Sequence, residues 1–247
     1  MNLNSLLFQF SSPKTFYPLA GKILPWFAVA AALLSGVGLY IGFFVAGTDA
    51  VQGESYRIIF IHVPVSIMSM FVYVIMAVYA GLYLVFNTRL SDMMANALAP
   101  TGASLTFLAL WTGAFWGKPT WGTYWVWDAR LTSELILLFL YIGYMSLRAA
   151  IDDPRRASRA SALLAIVGVV NIPIIYFSVY WWNTLHQGPS FDAVKKTSAV
   201  ESTMATGILI MLVACWMYAV AVSLMRVRAI IMEEEKRSAW VEGLEGH

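Results

Sequence analysis

The sequence predicts an all-α, polytopic membrane protein in which six transmembrane helices form a single domain. Of the 247 residues, 60% are hydrophobic and only 12% are charged, and the mean hydropathy is +0.69; a soluble domain is about half apolar. The chain also contains six apolar runs, each close to or above the ~20 residues that cross a bilayer core. The predicted spans are residues 23–46, 58–86, 97–115, 131–147, 160–182 and 202–225.

The first two spans are free of charged residues. Residues 23–46 exceed the ~7 to 15 apolar residues of a signal peptide, so we expect an uncleaved first span after a polar flank that ends at Lys22. The second span carries His62 and Pro64 in its first turns. Proline is tolerated there because the N–H that it lacks would have no partner at a helix start.

The later spans carry local signals of their own. Glu134 lies in the first turn of the fourth span, and because a charge at mid-bilayer costs roughly 3 kcal/mol, we expect it near the interface, facing protein or water. Asn171 and Pro173 interrupt the fifth span and predict a kink. The sixth span ends at Met225, where a charged tail begins.

Composition excludes several classes of function. The net charge is only +2, and the basic residues lie in connectors rather than in one patch, so the expected surroundings are a lipid bilayer and no nucleic acid. The single cysteine, Cys215, lies in an apolar run, which leaves no disulfide framework and no Cys-based metal site. The chain has no Gly-rich nucleotide-binding loop, so an ATPase would have to be a partner.

The distribution of Lys and Arg predicts the orientation. Eleven of the 16 lie in the N-terminal flank, the second and fourth connectors and the C-terminal tail, so the positive-inside rule places both termini in the cytoplasm. With six spans, the first, third and fifth connectors share the other face by parity. We therefore expect His62, the segment between the third and fourth spans, and His186 together outside the cytoplasm.

That segment, residues 116–130, is called the tryptophan segment, and we expect it to be an external loop. Tryptophan suits the boundary between lipid and water, so one interpretation is an interfacial belt that anchors the helices. The other interpretation is one wall of a ligand site, with Trp116 able to serve both. Its aromatic residues are Trp116, Trp121, Tyr124, Trp125 and Trp127.

Two histidines flank the tryptophan segment. His62 lies five residues past Arg57, about 7.5 Å along a helix, and His186 lies four residues past Trp182; the third histidine, His247, is the last residue. Two imidazoles beside an aromatic surface suit haem, whose iron takes axial His nitrogens and whose macrocycle stacks on apolar groups. The ordinary alternative is that His62 makes a satisfied polar contact and His186 is a solvated loop residue. Because both flank the tryptophan segment on one face, we favour a haem site with His62 and His186 as axial ligands.

Charged residues on the same face extend this site. Haem propionates seek cations, and among Arg57, Lys118 and Arg130 we favour Arg57 and Arg130 as their partners. Asp128 either orients an imidazole or pairs with Arg130, and pairing is the more ordinary arrangement.

The tryptophan segment closely resembles the WWD signature of the haem-handling protein family, from Trp116-Gly-Lys-Pro-Thr-Trp-Gly-Thr-Tyr-Trp-Val-Trp-Asp128 through Ala-Arg-Leu-Thr-Ser-Glu134. The histidine contexts, Ile61-His-Val-Pro64 and Trp181-Trp-Asn-Thr-Leu-His-Gln-Gly188, resemble its haem exporter protein C branch, also called cytochrome c maturation protein C. The resemblance covers residues 23–225, and the WWD motif is highly specific. Tyr124 stands where Trp would be equally acceptable, which preserves the aromatic surface.

The resemblance implies a haem-handling protein rather than an enzyme. Such proteins hold haem b as a transported ligand at the outer face of the bacterial inner membrane, with the two histidines as axial ligands and the tryptophan segment as platform. They present it to a membrane-tethered periplasmic haem chaperone, which becomes covalently attached to the haem. They work with an ATP-binding subunit, a second membrane subunit and a small single-span subunit, and ATP hydrolysis releases the loaded chaperone.

Two other functions remain open from the sequence. A permease subunit for a hydrophobic solute would use the tryptophans as a belt, and a channel would need polar residues deep within several spans, of which there are few beyond Asn171. A redox enzyme, such as a quinol-oxidising cytochrome, would need its ligands at mid-membrane depth. His62 and His186 are predicted at the boundary instead.

Overall fold

The computed structural model describes residues 12–182, 184–186, 191–192, 197–198 and 200–245 of the chain, and most of these are helical. A π-helical turn, Ile41–Val45, extends the first helix, and a 3-10 turn, Glu54–Ile58, leads into the second. Two short strands, β1 (Phe191–Asp192) and β2 (Thr197–Ser198), pair antiparallel in the last connector. The α-helices are α1 (Pro13–Tyr40), α2 (Ile59–Phe86), α3 (Arg89–Trp121), α4 (Ala129–Ala150), α5 (Pro154–Gly168), α6 (Asn171–Trp181), α7 (Ser202–Glu234) and α8 (Ala239–Glu245).

Six helical segments within the described residues are long and apolar enough to cross a membrane, which confirms the predicted six-span architecture. Three of them combine two helical pieces: α1 with the π-helical turn, the 3-10 turn with α2, and α5 with α6. The chain is therefore a multi-pass membrane protein. The segments are Pro13–Val45, Glu54–Phe86, Arg89–Trp121, Ala129–Ala150, Pro154–Trp181 and Ser202–Glu234.

The first helix begins at Pro13 rather than at residue 23. Ser12 caps it, since its hydroxyl accepts the Thr15 N–H at 3.4 Å, and proline is well suited to the first helical position that follows. The added turns pack on α7. Arg228 donates to the Tyr17 carbonyl at 2.6 Å, and its guanidinium carbon lies 3.9 Å from the Tyr17 ring centre. This tertiary contact is invisible to a hydropathy pattern.

The third helix is longer than predicted at both ends. Its first turns bury Leu90 and Met93 in a cluster with Val227 and Ile231 of α7. At the other end it continues through Trp121 and stops at Gly122, which takes the left-handed conformation with φ +79°. Residues 116–121 are therefore helical, and the prediction of a loop over the whole tryptophan segment is wrong for them.

Close packing around Phe60 fixes the start of α2. A Cβ added at Gly42 of the π-helical turn would lie 2.6 Å from Phe60 Cδ2, and one added at Gly207 of α7 would lie 2.6 Å from Phe60 Cε1. These two glycines let neighbouring backbones close around the ring, as small residues do between membrane helices. His62 lies two residues later on the same helix, so the packing around Phe60 also helps to fix the position of His62.

The predicted interruption of the fifth span is present. Helix α5 ends at Gly168, and α6 begins at Asn171. The Asn171 side-chain amide donates to the Ser133 carbonyl at 2.9 Å in the first turns of α4. The Asn171 amide is thereby satisfied and joins α6 to α4.

Buried polar contacts continue along α2 and α4. Glu134 is only 6% exposed, and its Oε1 accepts from Ser69 Oγ at 2.8 Å. The hydroxyl of Tyr141 donates to the Ser69 carbonyl at 2.9 Å. Glu134 thus faces protein, as expected of a charged residue within a span.

An ion pair joins three helices at the end of the bundle remote from the histidines. Arg148 donates to the two oxygens of Asp92 at 2.6 and 3.1 Å, and Ser158 donates to the same carboxylate at 2.7 Å. This bidentate geometry is the strong form of such a pair. It ties α3, α4 and α5 together.

Candidate ligand site at the histidine end

The imidazole rings of His62 and His186 lie side by side at one end of the bundle, here named the histidine end. Their centroids are 6.2 Å apart, and the ring planes make an angle of 37°. His62 lies in the first turn of α2 and is buried, whereas His186 lies in the connector after α6 and is partly exposed. Parity placed both histidines on one face, and the fold brings the rings together.

Thr112 of α3 determines which nitrogen of His62 is available to a ligand. Its Oγ1 lies 3.1 Å from Nδ1 of His62 and also 2.7 Å from the Leu108 carbonyl. A hydroxyl has one proton, and the carbonyl can only accept, so Thr112 donates to Leu108 and accepts from Nδ1–H. This assignment of the tautomer leaves Nε2 of His62 with its lone pair, the form that binds a metal.

Gly113 brings the backbone of α3 against the same imidazole. A Cβ at this position would lie 3.0 Å from Cε1 of His62, which is tighter than ordinary van der Waals contact. Thr112 and Gly113 together set both the hydrogen bonding and the position of the His62 ring.

Trp116 packs against His62 from the last turns of α3. The ring centroids are 5.6 Å apart at 76°, an edge-on arrangement. Its indole N–H donates to Oε1 of Gln52 at 2.7 Å. Since Gln52 lies in the first connector, that connector holds Trp116 in place beside His62.

The remaining aromatic residues of the tryptophan segment divide into two groups. Trp121 contacts His186, with centroids 5.9 Å apart. Trp125 packs edge-on against Trp127 at 5.3 Å, and Tyr124 packs against Phe115 at 6.1 Å. Trp127 is 77% exposed. Trp116 and Trp121 therefore line the histidine pair, while Tyr124 packs on α3 and Trp125 packs on the exposed Trp127.

The two arginines proposed for propionates have different surroundings. Arg57 donates from Nε to Glu54 at 2.5 Å and from Nη1 to the carbonyls of Gly42 and Ala46 at 2.5 and 3.1 Å. These hydrogen bonds hold the C-terminal end of the first span. Arg130 is in the first turn of α4 and donates from Nη1 to the Ile175 carbonyl at 2.7 Å.

Arg130 is the better-placed of the two cations. Arg130 donates to a backbone carbonyl, that of Ile175, whereas Arg57 is already paired with the Glu54 carboxylate. Lys118 lies farther out, with its ammonium 5.3 Å from the Tyr124 ring centre. Because a guanidinium already paired with a carboxylate is less available to a second one, we favour Arg130 over Arg57 as the partner of a ligand carboxylate.

Asp128 does not form the expected pair with Arg130 among the ion pairs of the described residues. Its Oδ1 accepts the Leu131 N–H at 2.8 Å and caps α4. Its Oδ2 accepts the hydroxyl proton of Thr184. Helix capping takes the place of the pairing expected from the sequence.

The described part of the histidine end brings two imidazoles together. In the part of the chain that the structure describes, no group of three or more His, Cys, Asp or Glu is placed to hold a metal ion. A bare cation would need more protein ligands than this. Two imidazoles suffice for a metal whose other ligands come from a macrocycle.

Nearly the whole chain matches a known family. A family model described as heme exporter protein C matches residues 6–242. The chain belongs to the heme exporter protein C family. Proteins of that name from Escherichia coli (strain K12) and Haemophilus influenzae are 45% and 43% identical over 238 residues, 96% of this chain and 96% of each relative. One from Bradyrhizobium diazoefficiens is 45% identical over 232 residues, 94% of this chain and 88% of the relative.

This family membership confirms the resemblance that the tryptophan segment predicted. Four further residues of the site are not predicted from the sequence: Gln52, Thr112, Gly113 and Thr184. Nothing in the local sequence distinguishes them from other small or polar residues of a helical membrane protein. A heme exporter protein C motif locates the histidines and tryptophans, whereas the residues that hold them emerge only from the packing of α2, α3 and two connectors.

Proposed function

We propose that this chain binds haem with its iron between His62 and His186 and presents it to a periplasmic haem chaperone in the maturation of c-type cytochromes. The observation that carries the proposal is the spacing of the two imidazoles. A metal–imidazole nitrogen bond of about 2 Å on each side separates two ring centres by roughly 6 Å, and the centroids here are 6.2 Å apart. His62 also offers an unprotonated Nε2.

The surroundings of the pair support haem rather than another metal centre. Porphyrin supplies four nitrogens, so two imidazoles complete the coordination of its iron. Trp116 and Trp121 provide an apolar aromatic wall, and Arg130 provides a cation for a propionate. The haem would be b-type, that is, held without a covalent bond to this chain, as suits a ligand that is transferred. The name of the relatives, heme exporter protein C, agrees with this role.

The two ligands differ in a way that suits transfer. His62 is buried and belongs to a helix, while His186 is partly exposed and belongs to a connector. Tyr124, Trp125 and Trp127 follow Trp121 in the chain and present aromatic surface to the solvent, with Tyr124 53% and Trp127 77% exposed. In our proposal His62 retains the haem, the exposed aromatic surface meets the chaperone, and the His186 side opens for release.

In our proposal the chain lies in a bacterial inner membrane, and the charge distribution supports an orientation with the histidine end toward the periplasm. In the proposed assembly the chain acts as a binding and transfer protein rather than as an enzyme. An ATP-binding subunit, a second membrane subunit and a small single-span subunit complete that assembly.

The direct test uses the full chain co-expressed with its assembly partners and the haem chaperone. Haem bound to the purified chain and haem covalently attached to the chaperone are both measured for three alanine variants. His62→Ala and His186→Ala should each lower both quantities at equal membrane levels, while His247→Ala should match the wild type. Wild-type haem levels and chaperone attachment in both site variants would contradict the proposal and favour a permease with a tryptophan belt.

Orientation has its own test, which uses thiol labelling in a Cys215→Ser background. Trp127→Cys at the histidine end should react with a membrane-impermeant reagent in intact spheroplasts. Arg155→Cys, exposed at the opposite end, should react only after the membrane is permeabilised. The reverse pattern would place the histidine end in the cytoplasm.

A further inference from the structure

Thr184 connects the backbone of His186 to Asp128. The Asp128 carboxylate can only accept, so the Thr184 hydroxyl donates to its Oδ2. The same hydroxyl oxygen accepts the backbone N–H of His186 at 3.0 Å. We propose that Asp128 and Thr184 are positioning residues that hold His186 at the distance required for axial ligation. This inference rests on the proposed function.

Asp128 is a firm anchor for this connection. Its Oδ1 accepts the Leu131 N–H at 2.8 Å, and its backbone carbonyl accepts the Thr132 N–H at 3.1 Å, so it is part of the α4 N-terminus. A carboxylate is favoured there by the partial positive charge of the helix end. A membrane-spanning helix therefore fixes the position of His186, which itself lies in a non-helical connector.

The connection acts on the His186 backbone rather than on its ring. Both Asp128 oxygens already have donors, and Arg130 directs its Nη1 to the Ile175 carbonyl instead. The pattern in which a threonine hydroxyl accepts the N–H two residues later is a common local turn. Here its second hydrogen bond to a distant carboxylate makes that turn part of the site.

Such a connection is needed because the two ligands start from unequal positions. His62 is fixed by α2, Thr112 and Gly113, whereas a ligand on a connector must be ordered before it can bind. Ordering it in advance strengthens the bond that it makes. We therefore expect loss of the connection to weaken the His186 bond selectively and to leave His62 bound.

Three variants separate this role from general stability. Thr184→Val removes the hydroxyl at nearly constant shape, and Thr184→Ser restores it. Asp128→Asn keeps an oxygen for capping α4, as Asn is an equally good N-cap. The oxygen that accepts from the Thr184 hydroxyl is then replaced by an NH2 group, which can only donate, or the single remaining oxygen must serve both donors. Asp153→Asn, at the capping residue of α5, and Thr206→Val, on the exposed side of α7, are the matched controls.

The first readout is amide hydrogen exchange in the haem-free, membrane-embedded chain. Loss of one hydrogen bond in this connection should change the equilibrium between the closed and open states of the amide about tenfold. Exchange in the peptide that contains His186 should therefore rise about tenfold in Thr184→Val and Asp128→Asn. It should stay at the wild-type rate in Thr184→Ser and in both controls. An unchanged rate in both Thr184→Val and Asp128→Asn would overturn the proposal.

The second readout is the haem-loaded chain, with cyanide as a competing axial ligand. Replacement of one imidazole should be about tenfold faster in Thr184→Val and Asp128→Asn, with bound haem retained through His62. If the wild type has two imidazole ligands and His186→Ala loses one, yet both positioning variants exchange at the wild-type rate, the positioning role is refuted and the haem site stands. If the wild type lacks a two-imidazole spectrum, the proposed function fails, and the exchange rate of the haem-free chain still decides whether the connection exists. Should Thr184→Val not insert, Asp128→Asn and its control decide both readouts.

Discussion

The Oγ1 of Thr112 and the Nδ1 of His62 lie 3.1 Å apart, and the threonine proton is already given to the Leu108 carbonyl. This pair directs the free lone pair of His62 to Nε2. Hydrogen-bond partners of metal-bound histidines orient the ring and raise its basicity. Thr112 is therefore as much a part of the proposed haem site as the histidine that it supports.

Thr112→Val should lower haem affinity about 10- to 100-fold, the usual loss for a partner of a ligating histidine, and Thr112→Ser should restore most of it. Titration of the purified chain with haem measures this. Thr101→Val is the control, because the Thr101 hydroxyl is buried on the same helix without a hydrogen-bond partner in the described residues. Equal affinities for Thr112→Val and Thr101→Val would refute the role of Thr112.

Gly113→Ala should separate haem binding from stability. The new methyl group would lie 3.0 Å from Cε1 of His62, so the imidazole must shift by a few tenths of an ångström and haem affinity should fall severalfold. Alanine is the better helix former by about 1 kcal/mol, so the melting temperature should not drop. Gly36→Ala, with no heavy atom within 4 Å of its added methyl, should leave haem affinity unchanged. A normal haem affinity in Gly113→Ala would show that the close approach has no function.

Gln52 and Trp116 should act as a unit. Gln52→Leu removes the acceptor of the indole N–H, and Trp116→Phe removes that N–H while keeping an aromatic ring beside His62. Residues that share one hydrogen bond are non-additive, with coupling energies of about 0.5 to 3 kcal/mol. Haem affinities of the two single variants and the double variant give this energy. Additive losses would mean that Gln52 does not position Trp116.

The two groups of tryptophans should produce different defects. Trp121→Ala removes the ring that contacts His186 and should lower bound haem. Trp127 is 77% exposed and packs on Trp125, so Trp127→Ala should retain most of the haem and impair its attachment to the chaperone. Bound haem and chaperone attachment are measured on the same preparations. The division of the segment fails if both variants lose haem equally or if both transfer it normally.

The two ion pairs at the opposite end should differ in their effect on stability. Asp92→Ala leaves the mostly buried Arg148 without its carboxylate and should cost about 3 to 5 kcal/mol. Arg89→Ala removes a side chain that is 60% exposed. Its partner Glu235 is 12% exposed but keeps the Trp240 indole N–H as a donor, so the cost should be about 1 kcal/mol. Unfolding in detergent compares them. Similar losses would show that burial does not govern these pairs.

Much of the architecture follows from the sequence because hydropathy registers it directly. The six spans and the break near Asn171 appear as apolar runs and their interruption, and parity alone places His62 and His186 on one face. Helix lengths are predicted less well. The extension of α1 back to Pro13 depends on Arg228 packing on Tyr17. The third helix runs through Gly117 and Pro119 and ends only at Gly122, which takes the left-handed conformation.

The supporting residues of the site could not be predicted, for a geometric reason. Thr112 reaches His62 only because α2 and α3 pack with these two faces together, and Thr184 reaches Asp128 across the chain from a separate connector. Gln52 depends in the same way on how the first connector folds over Trp116. Sequence periodicity gives the faces of each helix but not their mutual rotation, so hydroxyl and amide partners remain hidden among many equivalent residues.

The most direct test of the central claim is the low-temperature electron paramagnetic resonance spectrum of the haem-loaded, purified chain in its ferric state. The wild type and His247→Ala should show a low-spin signal with two imidazole ligands, because the ring centroids of His62 and His186 are 6.2 Å apart. His62→Ala and His186→Ala should each shift the iron to a high-spin or mixed-ligand signal. A high-spin wild type, or a low-spin two-imidazole signal that survives both single substitutions, would contradict the account.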